Sequence, residues 1–248
     1  ENLPRNRVGI KIEVDEGSVS GIRHINIVGN RVFDDATLRE LFELQLPSLL
    51  SFYTKDAQYS REKLKGDLEN LESYYLDRGY LNFEVESTQV AIAPNMEDVY
   101  ITINVEEGQQ FKVGQVEISG ELHDIPEASI RQLILSREGQ IYSRELMTAS
   151  EERIEMILGN AGYTFSSATG NPALSEDGET VVVRFFVDAG NRAYVRRISF
   201  RGNTLTQDEV LRRELRQMEG GWASNAYIEA SKVRLERLGF FKEVNVET

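Results

Sequence analysis

The chain repeats one phrase three times, and this repetition limits its possible folds more than any other feature. In each copy apolar residues recur at every second position, and the copy ends at glycine. The copies are Val8–Gly17, Val99–Gly108 and Val181–Gly190. A period of two predicts a β-strand with one face on a core and the other in water.

A second phrase follows each copy and keeps the same spacing. Its copies are Ile25–Asn30, Val116–Gly120 and Ile198–Asn203. Both phrases recur after 91 residues and then after 82, so two separate markers share one register. A fixed register of this kind is typical of a chain built from repeated modules.

A third marker is a glycine followed by an aromatic residue, once in each repeat. Its copies are Gly79–Tyr80, Gly162–Tyr163 and Gly239–Phe240. Glycine is typical of the left-handed position that ends a helix. We therefore assign Gly79, Gly162 and Gly239 a structural role, each between a helix and the next strand.

Two helices are predicted between the second phrase and the glycine marker. The first begins near Asp34 or Asp35, at Pro126, which suits the first helical position, and at Thr206, which forms a capping box with Glu209. The second begins after the N-cap serines Ser60, Ser143 and Ser224.

The second helix of the first repeat is predicted to pack on a sheet. An apolar stripe at helical spacing supports this: Leu64, Leu68, Leu71 and Tyr75. Two strands joined by a turn follow each glycine marker, and Asp177–Gly178 is a strong hairpin signal in the second repeat. The order within a repeat is therefore β-α-α-β-β.

Composition and motifs indicate a protein that binds other proteins and is not an enzyme. The formal net charge of −13 opposes nucleic acid as a partner. The chain has no cysteine and no P-loop or nucleophile-elbow motif, and we interpret His24 and His123 as surface or hydrogen-bonded residues. No catalytic residue, cofactor or metal is expected. The first residues lack a signal-peptide pattern, so a fragment or a processed chain is expected.

The β-α-α-β-β order with its three markers resembles the POTRA (polypeptide-transport-associated) module. The resemblance implies an α+β fold of tandem modules, each a three-stranded mixed sheet covered on one face by two helices. It divides the chain into residues 1–18, the last strand of a preceding module, residues 19–108 and 109–190, and residues 191–248, a module without its last strand. That last module contains no copy of the first phrase after its second helix.

The amino-acid sequences of two segments resemble, more specifically, modules of outer-membrane protein assembly factors. Tyr74–Tyr80 is similar to the third of their modules and Val210–Gly220 to the fifth, so the chain corresponds to the end of the second module, the third, the fourth and most of the fifth. The implied role is a periplasmic scaffold, the soluble part of an outer-membrane protein, that guides unfolded outer-membrane proteins by β-augmentation. The implied partners are those clients, BamB-like and BamD-like lipoproteins, and the protein's own C-terminal membrane barrel.

Other POTRA-containing proteins remain alternatives. The runner-up is the POTRA arm of a related barrel-coupled translocator, either TamA-like or a two-partner secretion transporter. A divisome protein of the FtsQ type is a second alternative, but such proteins usually carry one module.

The second strand of the first repeat, which directly follows the glycine marker, is the sharpest candidate for a binding edge. Leu81, Phe83 and Val85 share one parity, whereas Val90 and Ile92 have the other. A β-bulge near Ser87–Gln89 would resolve this conflict. Val90 and Ile92 then either rejoin the core or form a docking strip with Glu86, and the resemblance implies a BamB-like partner for that strip.

A charged flank in the third repeat is the second candidate. Leu211, Leu215 and Met218 are predicted to be buried on one helix face, and Arg212, Arg216 and Glu219 to lie on its polar flank. The simpler interpretation is a solvated face on which Arg216 and Glu219 pair. The resemblance implies instead that Glu219, with Arg212 and Arg216, docks a BamD-like lipoprotein, and Glu214 is the substitute position.

Overall fold

A computed structural model describes residues 21–44, 59–94 and 98–247, together with two short strands near the N-terminus. The chain divides into two compact units: residues 1–75 with 80–109, and residues 76–79 with 110–248. The short strands are β1 (Asn2–Leu3) and β2 (Arg7–Val8), which pair antiparallel. The predicted strand of a preceding module lies outside the described residues from residue 9 onward.

The first unit contains the first repeat apart from residues 76–79. Its elements are β3 (Gly21–Val28), α1 (Asp35–Arg39), α2 (Arg61–Leu76), β4 (Glu84–Ile92) and β5 (Asp98–Glu106). The sheet order is β3-β5-β4, with β5 parallel to β3 and antiparallel to β4. The first phrase of the repeat is thus the middle strand, because both neighbours pair with it.

Burial in this repeat follows the alternation of its sequence. Every second residue of β5 is buried, and the stripe of α2 packs in the same core. The fully buried hydrophobic side chains of these two elements are Val99, Ile101, Ile103, Leu71 and Tyr75. The predicted stripe residue Leu68 is only partly buried and lies at the edge of the core.

The second unit contains the second repeat, which has the same topology. Its elements are β6 (Lys112–Glu121), α3 (Glu127–Arg131), α4 (Arg144–Asn160), β7 (Ser167–Leu174) and β8 (Thr180–Asp188). The sheet order is β6-β8-β7, again with a parallel and an antiparallel pair. The α+β architecture predicted for these repeats is confirmed.

The third repeat, also in the second unit, has the helices α5 (Asp208–Glu214) and α6 (Asn225–Arg237) but no strand among residues 191–247. The strands expected around Ile198 and after Gly239 are therefore not formed, and one isolated bridge joins Tyr194 to Trp222. The physical reason is that this segment lacks a copy of the phrase that supplies the middle strand. A cleft of about 1260 Å³ lies between the two extended segments.

The second and third repeats are joined by backbone and side-chain contacts. The Ala193 N–H donates to the Gly162 carbonyl at 2.9 Å, and the Ala226 N–H donates to Asn160 Oδ1 at 2.8 Å. The guanidinium carbon of Arg192 lies 4.4 Å from the ring centre of Trp222, a cation–π contact. The link between these repeats is therefore a packed joint.

The predicted helix starts are mostly confirmed. Asp34, Ser60, Ser143 and Ser224 each accept a backbone N–H from the first turn. Two details are wrong: Pro126 is the N-cap itself, and α5 begins after Gln207 without a side-chain cap. The Asn203 side chain donates to the Thr206 carbonyl and to Asp208, which fixes the turn before α5 without capping its N–H groups.

One contact recurs in all three repeats, at the residue seven positions after the N-cap serine. This residue accepts backbone N–H groups from the loop after the first helix: Asp67 from Glu43 and Leu44, Ser150 from Leu135, Ser231 from Arg216 and Gln217. Burial raises the pKa of Asp67, although both N–H donors act against this. The second helix therefore fixes the loop in each repeat.

No helix in the part of the chain that the structure describes is long and apolar enough to cross a membrane.

Candidate functional site

Among the residues that the structure describes, no strand pairs with the outer side of β4, so β4 is an edge of the first sheet. The Ala93 N–H donates to the Asp98 carbonyl across the hairpin at 2.8 Å, so odd-numbered residues of β4 after its bulge point their N–H groups toward β5. The N–H groups of Thr88, Val90 and Ile92 consequently point away from the sheet. An extended chain could pair with these groups.

An apolar groove accompanies this edge. Val90 and Ile92 lie opposite Ile101 and Val99, on the face that carries the core, yet they remain 38% and 54% exposed. The groove between β4 and α2 has a volume of about 570 Å³. Its lining residues are Tyr59, Leu64, Leu68, Thr88 and Val90, with Arg61, Glu62 and Lys65 at its polar side.

The predicted bulge near Ser87–Gln89 exists, and it lies one residue before that segment. The register shift lies between Val85 and Ser87, so Glu86 is the extra residue and Ser87–Gln89 pair regularly. The Asn104 side chain donates to Ser87 Oγ at 2.7 Å, which supports the regular register directly after the bulge. Glu86 is exposed and belongs to the same edge as Val90 and Ile92.

The third-repeat candidates are arranged differently from the prediction. Helix α5 ends at Glu214, so Arg216, Met218 and Glu219 lie in the segment that follows it. Met218 is 65% exposed, which contradicts its predicted burial. The helix cannot continue because the N–H groups of Arg216 and Gln217 donate to Ser231 Oγ.

Glu219 pairs with Arg212 and not with Arg216. Its Oε1 atom accepts from the Ile198 N–H at 2.7 Å and from Arg212 Nη1 at 3.1 Å. These two hydrogen bonds, the backbone one first, lower the pKa of Glu219. The structure thus brings Glu219 and Arg212 together, whereas Arg216 is exposed and does not take part in this pair.

The three marker glycines have left-handed backbone conformations. Gly79, Gly162 and Gly239 have φ values of 91°, 103° and 68°. A Cβ atom at Gly79 would lie 2.8 Å from the Phe111 carbonyl oxygen, so this position also needs glycine for close approach.

Sequence reasoning missed one cluster of possible ligands in the second repeat. Among the described residues, only Glu121, His123 and Asp188 place three potential metal ligands within 4.8 Å of one another. Asp188 is distant in sequence and arrives beside His123 only because β8 pairs with β6. Glu121 and His123 are exposed, and exposed groups of this kind are common in proteins that bind no metal.

The family model described as "POTRA: Surface antigen variable number repeat" matches residues 21–108, 111–190 and 193–248. The chain belongs to the POTRA family. The identification of POTRA modules from the three repeated markers is thus confirmed.

Similar POTRA proteins carry the name outer membrane protein assembly factor BamA. BamA of Neisseria meningitidis serogroup B is 34% identical over 245 residues, 99% of this chain and 31% of that protein. BamA of Buchnera aphidicola is 33% identical over 242 residues, 97% of this chain and 39% of that protein. The chain therefore spans about a third of the length of these curated relatives.

A solved structure agrees with this POTRA assignment. The crystal structure of Haemophilus influenzae BamA POTRA3-5 has a TM-score of 0.74 and 30% identity, and the match covers 94% of this chain and 91% of that one. The sequences of Tyr74–Tyr80 and Val210–Gly220 had indicated a resemblance to the same modules, the third to the fifth.

Proposed function

We propose that this chain is a periplasmic scaffold in outer-membrane protein assembly, and that it binds proteins by adding their extended segments to the edge of β4. The single observation that supports this most is the open edge itself. Three successive outward N–H groups, at Thr88, Val90 and Ile92, lie beside an apolar groove. The similarity to BamA proteins supports the setting.

The binding mechanism needs no catalytic step and no cofactor. An incoming strand accepts hydrogen bonds from the edge N–H groups and donates to the carbonyls of the same residues. Its alternate side chains enter the groove beside Leu64 and Leu68, which selects segments with apolar residues at every second position. Strands of a membrane β-barrel have this pattern. The proposed partners are therefore unfolded outer-membrane proteins and a BamB-like lipoprotein.

The test is the position at which an extended peptide binds. A nine-residue peptide of alternating valine and threonine, with a nitroxide label at one end, is added to the isotope-labelled protein. We expect paramagnetic broadening of the amide signals of Thr88, Val90 and Ile92, since the label is held along this edge. Broadening spread evenly over the surface, or absent from β4, would contradict the proposal.

A second proposed site lies in the third repeat, where Glu219, Arg212 and Arg216 would dock a BamD-like lipoprotein. All three side chains are exposed, and the Glu219–Arg212 pair holds its geometry through Ile198. An exposed pair held in place by a backbone hydrogen bond can present both charges to a partner with complementary charges.

Glu219→Lys is expected to weaken binding of the BamD-like lipoprotein about ten-fold and to leave peptide binding at β4 unchanged. The reversed charge would face Arg212 and the partner's cationic groups. Glu209→Lys is the matched control, because Glu209 is exposed on α5 in the same repeat and the net charge changes equally. Equal binding by both variants in a pull-down would rule out this docking site.

A further inference from the structure

The edge of the second sheet is covered by two carboxylates. Strand β7 occupies the place in its repeat that β4 occupies in the first. The Ala168 N–H donates to Glu155 Oε1 at 2.9 Å, and the Gly170 N–H donates to Glu151 Oε1. Both glutamates belong to α4, so this helix provides the hydrogen-bond acceptors for two N–H groups of the strand beside it.

A proline removes the next outward donor of β7. The Ser175 N–H donates to the Thr180 carbonyl across the hairpin, and the β7–β8 register has no bulge. Even-numbered residues of β7 therefore point their N–H groups outward. Pro172 has no N–H, so three successive outward positions, 168, 170 and 172, offer no free donor.

The matching positions in the first repeat carry different residues. Pairing with the middle strand places Thr88 opposite Ile103 and Val90 opposite Ile101, as it places Gly170 opposite Phe185 and Pro172 opposite Val183. Val90 thus corresponds to Pro172. Counting eight residues from the N-cap serines, Leu68 of α2 corresponds to Glu151 of α4.

We infer that two positions decide whether a repeat accepts an added strand: Leu68 and Val90 leave the β4 edge open, whereas Glu151 and Pro172 close the β7 edge. The inference rests on the proposed function in one respect, since it takes strand addition at β4 as its reference. On this inference, the second repeat accepts no added strand at the edge of its sheet.

Glu151 closes the edge because it competes with the carbonyls of an incoming strand. A charged acceptor makes a stronger hydrogen bond to an N–H than a neutral carbonyl does. The Glu151 side chain is already held at the edge by its own helix, so an added strand would have to displace it. Gly170 permits this contact, since a Cβ atom there would lie 2.6 Å from Met147 Cγ of α4.

The second glutamate depends on the absence of a bulge. Glu72 is the counterpart of Glu155, is exposed, and accepts no hydrogen bond from β4 among the described residues. In the first repeat the extra residue Glu86 interrupts the strand at the corresponding place, next to Val85. Position 151 and position 172 are therefore the ones to exchange.

The first experiment measures amide exchange and needs no peptide. Glu151→Ala should accelerate exchange of the Gly170 amide hydrogen about ten-fold, because its acceptor is lost. Glu151→Gln should stay close to the wild type, since its carbonyl oxygen still accepts. Glu152→Ala is the matched control on the exposed side of α4. Unchanged Gly170 exchange in Glu151→Ala would overturn the inference.

The second experiment exchanges the residues between the repeats and uses the spin-labelled valine–threonine peptide. In the wild type we expect no broadening along β7. In the double variant Glu151→Leu with Pro172→Val, signals of Gly170 and Leu174 should broaden. In Leu68→Glu, broadening along β4 should be lost.

The outcomes separate this inference from the proposed function. Broadening of wild-type β7, or a folded double variant whose β7 stays unaffected, would overturn the inference. If the double variant binds at β7 while wild-type β4 does not bind, the proposed function is wrong and the closed edge stands. If the double variant does not fold, the exchange of Gly170 in Glu151→Ala and Glu151→Gln still decides the question.

Discussion

Val90→Pro is expected to abolish peptide pairing along β4, a loss of affinity of at least about ten-fold, while the first repeat stays folded. The Val90 N–H points away from β5, so the substitution removes no hydrogen bond of the sheet. The second repeat carries Pro172 at the matching place within an intact strand, which indicates that this position tolerates the ring. Binding of a BamB-like lipoprotein should fall with peptide binding.

Two control variants separate the lost donor from other causes. Val90→Ala keeps the N–H and shortens the side chain, so it should lose less affinity than Val90→Pro. Gln89→Pro removes an inward donor and should destabilise the sheet itself. Titration calorimetry with amide spectra of each variant measures both effects. Full lipoprotein binding by folded Val90→Pro would show that the partner docks elsewhere.

Gly29→Ala and Gly120→Ala should each lower the free energy of unfolding of their own repeat by about 3–5 kcal/mol. Gly29 directly follows β3 and Gly120 lies near the end of β6, with φ of 102° and 113°. A Cβ atom at Gly29 would lie 2.1 Å from the Val105 carbonyl oxygen, and at Gly120 2.2 Å from that of Val187. Backbone atoms of the middle strand cannot move away without breaking its hydrogen bonds.

Gly202→Ala provides a control within the same chain. Gly202 holds the equivalent place in the third repeat with φ of 83°, but apart from its chain neighbours no atom of the described residues lies within 4 Å of its Cβ position. The expected cost is then only that of the left-handed backbone, about 1–2 kcal/mol. Urea unfolding followed by amide signals of each repeat measures the three values. Equal costs at all three positions would show that the close approach to the middle strand has no energetic role.

The local signals in the sequence predicted the local structure well. Serines before the second helices cap them, and Asp177–Gly178 forms the predicted turn, with φ of 70° at Gly178. These features depend on a few neighbouring residues and on the dihedral angles that each residue allows. Sequence periodicity and turn residues are therefore enough to predict them.

The features that sequence missed depend on distant contacts. Helix α5 ends because Ser231 of α6 accepts hydrogen bonds from the two backbone N–H groups that follow Leu215. Met218 and Glu219 therefore do not lie on the helix face predicted for them. The bulge lies at Glu86 because parity alone requires an extra residue but does not fix its place. The roles of Glu151 and Glu155 depend on the close approach of α4 to β7, which local sequence patterns do not predict.

The joint within the second unit has a direction along the chain. Asn160, at the end of α4, accepts the N–H of Ala226 in the first turn of α6, and Asp77 in the same way accepts the N–H of Glu145 in the first turn of α4. The first turn of a helix has N–H groups without partners inside the helix. Each of these helices thus receives part of its cap from residues that precede it in the chain. A polypeptide that emerges N-terminus first therefore carries each of these capping residues before the helix that requires it.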